Sequence, residues 1–198
     1  MSDVAPPRRM SRTDRREALL DAAAALLRRR HPVALTFDAI AEAAGVSSTL
    51  PYKYFASVDE VAEELYHRLV GPIDDETDDI LADPERPFAN KLRDGITLWC
   101  DVIRRDGVVL LRLADDVAHP SLRTSIERRR ERAVEVWAAE VATEFDVDHV
   151  TARLLAASIT ASSIALLRRW LRDRLDRERV IDTFVTMALG QIEAVTEA

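Results

Sequence analysis

Ser47, Ser48, Thr49, Tyr52, Lys53 and Tyr54 fall within eight consecutive residues shortly after Gly45. Hydroxyls, phenols and one ammonium in so short a run suit hydrogen bonding to phosphate oxygens and base edges better than they suit a core. Upstream, residues 36–45 read as a short helix. The Thr36 hydroxyl caps it, Phe37, Ile40 and Ala41 point inward, and Gly45 stops it by taking a backbone geometry few residues accept cheaply. A second short helix is expected after the turn, with Ser47 as N-cap. Its free N–H groups and positive dipole end would then face a phosphate. Pro51 lies about four residues past that cap, where a missing N–H is tolerable. The pattern is helix, tight turn, helix.

Other reactive residue types are sparse. Glu64 and His67 have the i, i+3 spacing used by di-iron bundles, which need a second such pair and two more glutamates. Asp116 with His119 and Asp146 with His149 are only near matches. No metal site, cofactor or catalytic activity is therefore expected. The single cysteine, Cys100, excludes an internal disulfide and a cysteine-based zinc cluster, which points to a reducing compartment. Beside Trp99 it reads as a buried, inert thiol. Arg112, Asp115, Asp116 and His119 read as a solvated surface or a set of ion pairs.

Charge sharpens the picture. The 198 residues carry 28 Lys and Arg against 35 Asp and Glu, a net −7 that argues against a polyanionic partner. The distribution says otherwise. Residues 1–57 hold nine basic and six acidic groups, net +3, and the remainder holds 19 basic and 29 acidic groups, net −10. A basic end fused to an acidic body implies an anion-facing part and a part with another task. The N-terminal stretch lacks the apolar run of a secretion signal, so a cytoplasmic location is expected.

The elements that must position these residues are helical. Glycine and proline are scarce and no stretch alternates in the β manner, so the fold class is all-α. A basic arm over residues 1–12 precedes a helix starting near Thr13, with Leu19, Ala23, Leu26 and Leu27 on one face, that ends before His31-Pro32. Ser57-Val58-Asp59-Glu60 is a capping box that opens a fourth helix. Gly71-Pro72 and the acidic run at 74–79 predict a break around 71–86, with the acidic run a loop. Later helices are expected at 87–105, 107–117, 121–144, 147–174 and 177–196, with a break at Asp106-Gly107. Residues 154–167 carry no charge, a run shorter than the ~20 residues that span a bilayer. A helix apolar nearly all round is buried on several sides. Paired with the last helix and doubled by a two-fold axis, it would make a four-helix dimer interface.

With these motifs in place, the sequence resembles the TetR family of bacterial transcriptional regulators. The resemblance rests on T-F-x-x-I-A-x-x-A-G-V-S at 36–47, Y-x-Y-F at 52–55, S-x-x-E at 57–60 and the helical pattern at 13–27. It covers about the first 70 residues; beyond them only length, helix count and Arg169-Trp170-Leu171 agree. The resemblance implies an N-terminal three-helix DNA-binding domain at 13–57. A fourth helix joins it to a helical ligand-binding and dimerisation domain at 58–198. It also implies that Thr36, Tyr52 and Tyr54 contact phosphates, that Ser47, Ser48, Thr49 and Lys53 lie in or beside the major groove, and that Arg12 adds backbone or minor-groove contacts. Two features depart from the family pattern. Thr49 and Pro51 replace a small and an aliphatic residue, and Val58 replaces a phosphate-contacting lysine, a change expected to reduce the salt slope of binding by roughly 0.9.

The implied partners are double-stranded operator DNA, an unidentified small-molecule effector and a second copy of the chain, with no membrane. Trp99, Ile103, Leu113, Ile126, Trp137, Ile159 and Trp170, together with Phe88, are the candidates for an apolar effector pocket. The function expected is a dimeric repressor that leaves a palindromic operator on binding a small molecule. The departures at Pro51 and Val58 motivate an alternative, a helical ligand- or protein-binding dimer that has lost operator binding.

Overall fold

The computed structural model describes residues 10–29, 34–115 and 120–197; the expected arm at 1–9, His31-Pro32, Asp116, His119 and the side chain of Asp115 lie outside the described residues. Among the described residues there are seven α-helices and no strand: α1 (Arg12–Arg28), α2 (Phe37–Ala44), α3 (Val58–Leu81), α4 (Phe88–Asp115), α5 (Pro120–Phe145), α6 (His149–Asp173) and α7 (Arg177–Thr196). The chain is an all-α protein with two compact units, residues 1–65 and 66–198, and α3 runs through the division.

In the first unit, α1 starts earlier than its sequence suggested. Ser11, not Thr13, is the cap: its Oγ accepts from Asp14 N at 3.0 Å, and its own N–H donates to Asp14 Oδ2 at 3.1 Å. An aspartate three residues after Ser11 makes the bond reciprocal, which Thr13 has no partner to match. Leu19, Leu20, Ala23, Leu26 and Leu27 are buried with Phe37, Ile40, Phe55, Val61 and Leu65. Each large side chain in such a core contributes about 1.5–3 kcal/mol on burial.

Two expected breaks are absent. α3 continues through Gly71-Pro72, and the acidic residues 74–79 are helical rather than a loop. Proline removes one donor, but Pro72 is exposed, and Leu69, Val70 and Ile73 around it are buried and hold the helix in place. The acidic side chains serve as ion-pair partners. Asp74 pairs with Arg129 at 2.7 Å and Asp78 with Arg132 at 2.6 Å. Likewise α4 passes through Asp106-Gly107 without stopping. Gly107 is a close-approach point: a Cβ there would stand 3.1 Å from Leu171 Cδ2 and 3.2 Å from Ile103 Cγ2. The chain does turn at 82–87, at 146–148 and at 174–176, where Asp148 and Asp176 cap α6 and α7.

The second unit's core joins α4, α5, α6 and α7 through Leu92, Ile96, Cys100, Val134, Ala138, Leu155, Ile159, Ile181 and Phe184. α6 is long and apolar enough by length and composition to cross a membrane, with a mean hydropathy of 1.6 over its most apolar window. Ala152, Leu155, Ala156, Ile159 and Leu167 place one side of it in this core. Only 28% of that window is fully buried within the chain, and Val150, Leu154, Ala157, Ala161 and Ala165 are exposed.

Candidate nucleic-acid interface and effector cavity

α2 is bounded as its residues predict. Thr36 Oγ1 accepts from Ala39 N at 3.2 Å, and Gly45 closes the helix at φ 65° while Val46 N donates to Ala41 O at 3.0 Å. The segment after the turn is not an α-helix. It is a succession of tight turns ending in a three-residue 3₁₀ helix, Pro51–Lys53, and Ser47 makes no side-chain bond to its backbone. Pro51 supplies the reason. Ser47 O would need the N–H of residue 51 for an α-helical bond, proline has none, and the carbonyl accepts from Leu50 N at 2.9 Å instead. Ser47 Oγ lies 3.3 Å from Thr49 Oγ1. So short a turn aligns few peptide dipoles, which moves the capacity for anion contact from a helix end to the hydroxyl side chains.

Those side chains face outward. Ser47, Ser48, Thr49, Lys53, Thr36 and Arg12 are exposed and Tyr54 is half-buried. Tyr52 is 65% exposed, yet its ring meets Phe37 edge-on with centroids 4.6 Å apart. It therefore packs with one edge and offers its hydroxyl to solvent. Buried Pro51 and Phe55 pin the turn from below. Arg12 lies over the Tyr54 ring at 5.7 Å, next to the same surface.

Arg16, absent from the sequence candidates, ties this surface to its support. Its guanidinium donates to the carbonyl of Tyr54, to Glu64 (Nε–Oε1 2.8 Å) and to Glu60 (Nη2–Oε1 3.0 Å), and stacks 4.3 Å from the Phe55 ring. The only sequence signal is Glu60 and Glu64 at i, i+4, a two-carboxylate grip on one helix face. Glu64 is thus occupied by Arg16, not offered to a metal with His67. Among the described residues no group of three or more His, Cys, Asp or Glu is placed to hold a metal ion.

Glu60 also accepts from Ala56 N at 2.6 Å, while Ser57 Oγ accepts from Glu60 N at 3.1 Å, completing the start of α3. The Ala56 N–H, and after it Arg16, hold the Glu60 carboxyl below its ordinary value of 4.5. A lowered folded-state value means stability that is present above the ordinary carboxylate range and lost as pH falls through the folded value. Acid titration of thermal stability should therefore show a decline below about pH 4.5 that Glu60→Gln flattens. An unaltered profile in the variant would remove Glu60 from that account.

The second unit encloses a cavity of about 210 Å³ between α3, α4, α5 and α6. Trp99, Ile103, Ile126, Trp137 and Ile159 are on its wall. Leu113 is buried elsewhere in the unit, and Trp170 is used at the end of α6, where its Nε1–H donates to Leu175 O at 2.9 Å. Phe88 packs behind the wall, edge-on to Trp137. Gly95 lets Trp137 lie flat against α4, since a Cβ there would be 3.0 Å from Trp137 Cζ2. The wall also has a polar part. Arg129 is bidentate to Asp74 at 2.7 and 3.2 Å and lies 4.8 Å over the Trp99 ring. Tyr66 stands nearby, its phenol pushed up by burial. Cys100, behind the wall, is fully buried and its thiol is pushed up to about 11, chiefly by burial, so it is protonated at neutral pH.

Residues 19–65 match the family model described as bacterial regulatory proteins, tetR family. Along most of its length the chain is also similar to the HTH-type transcriptional activator FasR of Mycolicibacterium smegmatis, with 26% identity over 197 residues, 94% of this chain and 87% of that protein. Residues 19–65 thus carry a segment of the tetR-family type. Solved structures agree on the fold. A TetR-like transcriptional regulator from Rhodococcus sp. RHA1 superposes with a TM-score of 0.77 at 19% identity, covering 93% of this chain and 99% of that one. A tetR-family transcriptional regulator from Streptomyces coelicolor gives 0.68 at 22% identity, covering 94% and 83%.

In the second unit one further surface stands out. The outer face of α6 carries Val150, Leu154, Ala157, Ala161 and Ala165, all exposed, at spacings of three and four that keep them on one side. α7 adds exposed Met187, Gly190 and Ala194 at the same spacing, and a Cβ on Gly190 would meet nothing within 4 Å. Ser158 Oγ and Gln191 Oε1, 2.7 Å apart, join the two helices.

Proposed function

We propose that the protein is a dimeric, ligand-responsive regulator that binds a palindromic operator and is released from it by a small molecule held in the second unit. The observation that carries the DNA half is the exposed surface of Ser47, Ser48, Thr49, Tyr52 and Lys53 on a turn braced from beneath. In this reading Ser48, Thr49 and Lys53 lie in or beside the major groove with Ser47. Thr36, Tyr52, Tyr54 and Arg12 hold phosphates. The bare faces of α6 and α7 support a two-fold dimer, which would set two such surfaces in successive major grooves ~34–36 Å apart. The cavity supports a ligand-controlled equilibrium, in which the effector shifts the population by no more than its differential affinity for the two forms. Operator DNA places the work in the cytoplasm, and no catalytic step is assigned.

A gel shift against the intergenic DNA upstream of its own gene tests the reading. Wild-type protein should shift the fragment at low salt, and Lys53→Ala with Tyr52→Phe should weaken binding by about 10- to 100-fold while the oligomer stays intact. No shift from intact wild-type dimer would favour a helical binding protein without operator affinity. The similarity to a protein named as an activator supports a second reading, in which the bound dimer recruits rather than blocks transcription. A reporter downstream of the shifted fragment separates them, since deleting an activator lowers its output and deleting a repressor raises it.

A further inference from the structure

We propose that the cavity's effector is a small anionic amphiphile: an apolar chain of about seven carbons inside, and a carboxylate or similar anion at the open end beside Arg168. This names the ligand class for the site proposed above and rests on that reading.

Charge is the first argument. The unit that holds the cavity is strongly acidic overall, yet the cavity wall carries Arg129, Arg130, Arg132 and Arg168 against one acid, Asp74. Three of these arginines are committed. Arg129 is bidentate to Asp74, Arg132 pairs with Asp78 at 2.6 Å, and Arg130 pairs with Glu127 at 3.1 Å. Arg168 has no ion-pair or hydrogen-bond partner among the described residues, and it is exposed. An unmatched guanidinium on the rim of an apolar cavity matches an anion with an apolar tail.

Size and geometry agree. A volume of 210 Å³ is below the usual range for drug-sized ligands. At about 30 Å³ for each water-sized group it takes roughly seven of them. Along α6, Thr160, Ser163, Ile164, Leu167 and Arg168 face the cavity at spacings of three, one, three and one, so the helix runs from apolar wall to cationic rim. The indole walls of Trp99 and Trp137 exclude water from the tail, and Ser163 is already satisfied by donating to Thr160 O at 2.8 Å. An uncharged cavity of this lining would prefer the alcohol to the carboxylate of the same chain, because the charged head resists desolvation.

The test uses full-length protein, with octanoate and 1-octanol as probes and titration calorimetry as the readout. Octanoate should bind about tenfold more tightly than 1-octanol, and Arg168→Gln should erase that preference while leaving 1-octanol unchanged. The solvent-exposed position of Arg168 keeps this variant folded. Ala133→Phe, on the cavity wall, should abolish binding of both probes. Equal or tighter binding of 1-octanol overturns the proposal, as does octanoate binding that survives both substitutions. Octanoate binding that follows the expected pattern but leaves the operator complex intact would uphold the ligand class and overturn ligand-controlled release.

Discussion

Arg16→Ala should lower stability by about 2–3 kcal/mol and reduce operator affinity by two orders of magnitude or more. One side chain connects three things there: the backbone at Tyr54, the carboxylates of Glu60 and Glu64 at the start of α3, and the Phe55 ring. Hydrogen bonds to charged groups are worth about 1.5–3 kcal/mol each. With Arg16, Glu60 and Glu64 side chains 30%, 39% and 31% exposed, solvent screening reduces the ion-pair share, so the bonds do not add in full. The Arg16 guanidinium is held above its ordinary value, first by its hydrogen bond to Glu64 and against the opposing effect of burial. For a chain of this length the loss is a fall in melting temperature of about 5–10 °C.

The effect on DNA exceeds the effect on stability because of where the bonds end. Lys53 and Tyr54 sit on a 3₁₀ turn with few backbone bonds of its own, so its position relies on what grips it from below. Losing the bond to Tyr54 O leaves the exposed residues correct in type and wrong in place. Arg16→Lys separates charge from geometry: a single ammonium cannot bridge two carboxylates and a carbonyl as the planar fork does. The lysine variant should recover part of the melting temperature and little of the operator affinity. Thermal denaturation and gel shift on the same preparations measure both. If the alanine variant melted and bound as wild type, the bracing role of Arg16 would be disproved.

How much of this was legible in the sequence depends on the range of the interactions. Local signals read well. Thr36 and Gly45 bound α2, and Leu19, Ala23, Leu26 and Leu27 of α1 are buried together as their spacing predicts. Signals that depend on packing were misleading. Gly107 looked like a terminator because glycine is flexible, whereas here it is needed for the approach of Leu171. Pro72 looked like a stop, but the buried neighbours of an exposed proline sustain the helix. Pro51 has a position tolerable near a helix start, yet its missing N–H converts the whole segment into tight turns. Aromatic and aliphatic residues located much of the cavity wall. The arginines escaped notice because an arginine's role is set by its partner, and Arg16 with Glu64, or Arg129 with Asp74, lie 48 and 55 residues apart.

Ala161→Glu should convert the protein to a monomer of 22.3 kDa by light scattering while leaving its helical circular dichroism intact. Ala161 lies mid-way along the uncovered face of α6, flanked by Ala157 and Ala165 and exposed in the single chain. A carboxylate added there costs the lone protomer little, because water solvates it. In a two-fold interface the same position meets its own copy or a near neighbour, so two carboxylates would be desolvated together against apolar surface. Gly190 and the alanines allow close backbone approach, so little room exists for the new side chain to escape. The Ser47–Lys53 surface is not touched, so the variant separates assembly from DNA contact. Separating the two half-site contacts removes their mutual reinforcement, a factor of about 10² to 10⁴ in affinity. Operator binding should therefore fall by that amount. A variant that remained dimeric would place the interface elsewhere than α6 and α7. A monomer that bound the operator as wild type would show that one recognition surface suffices.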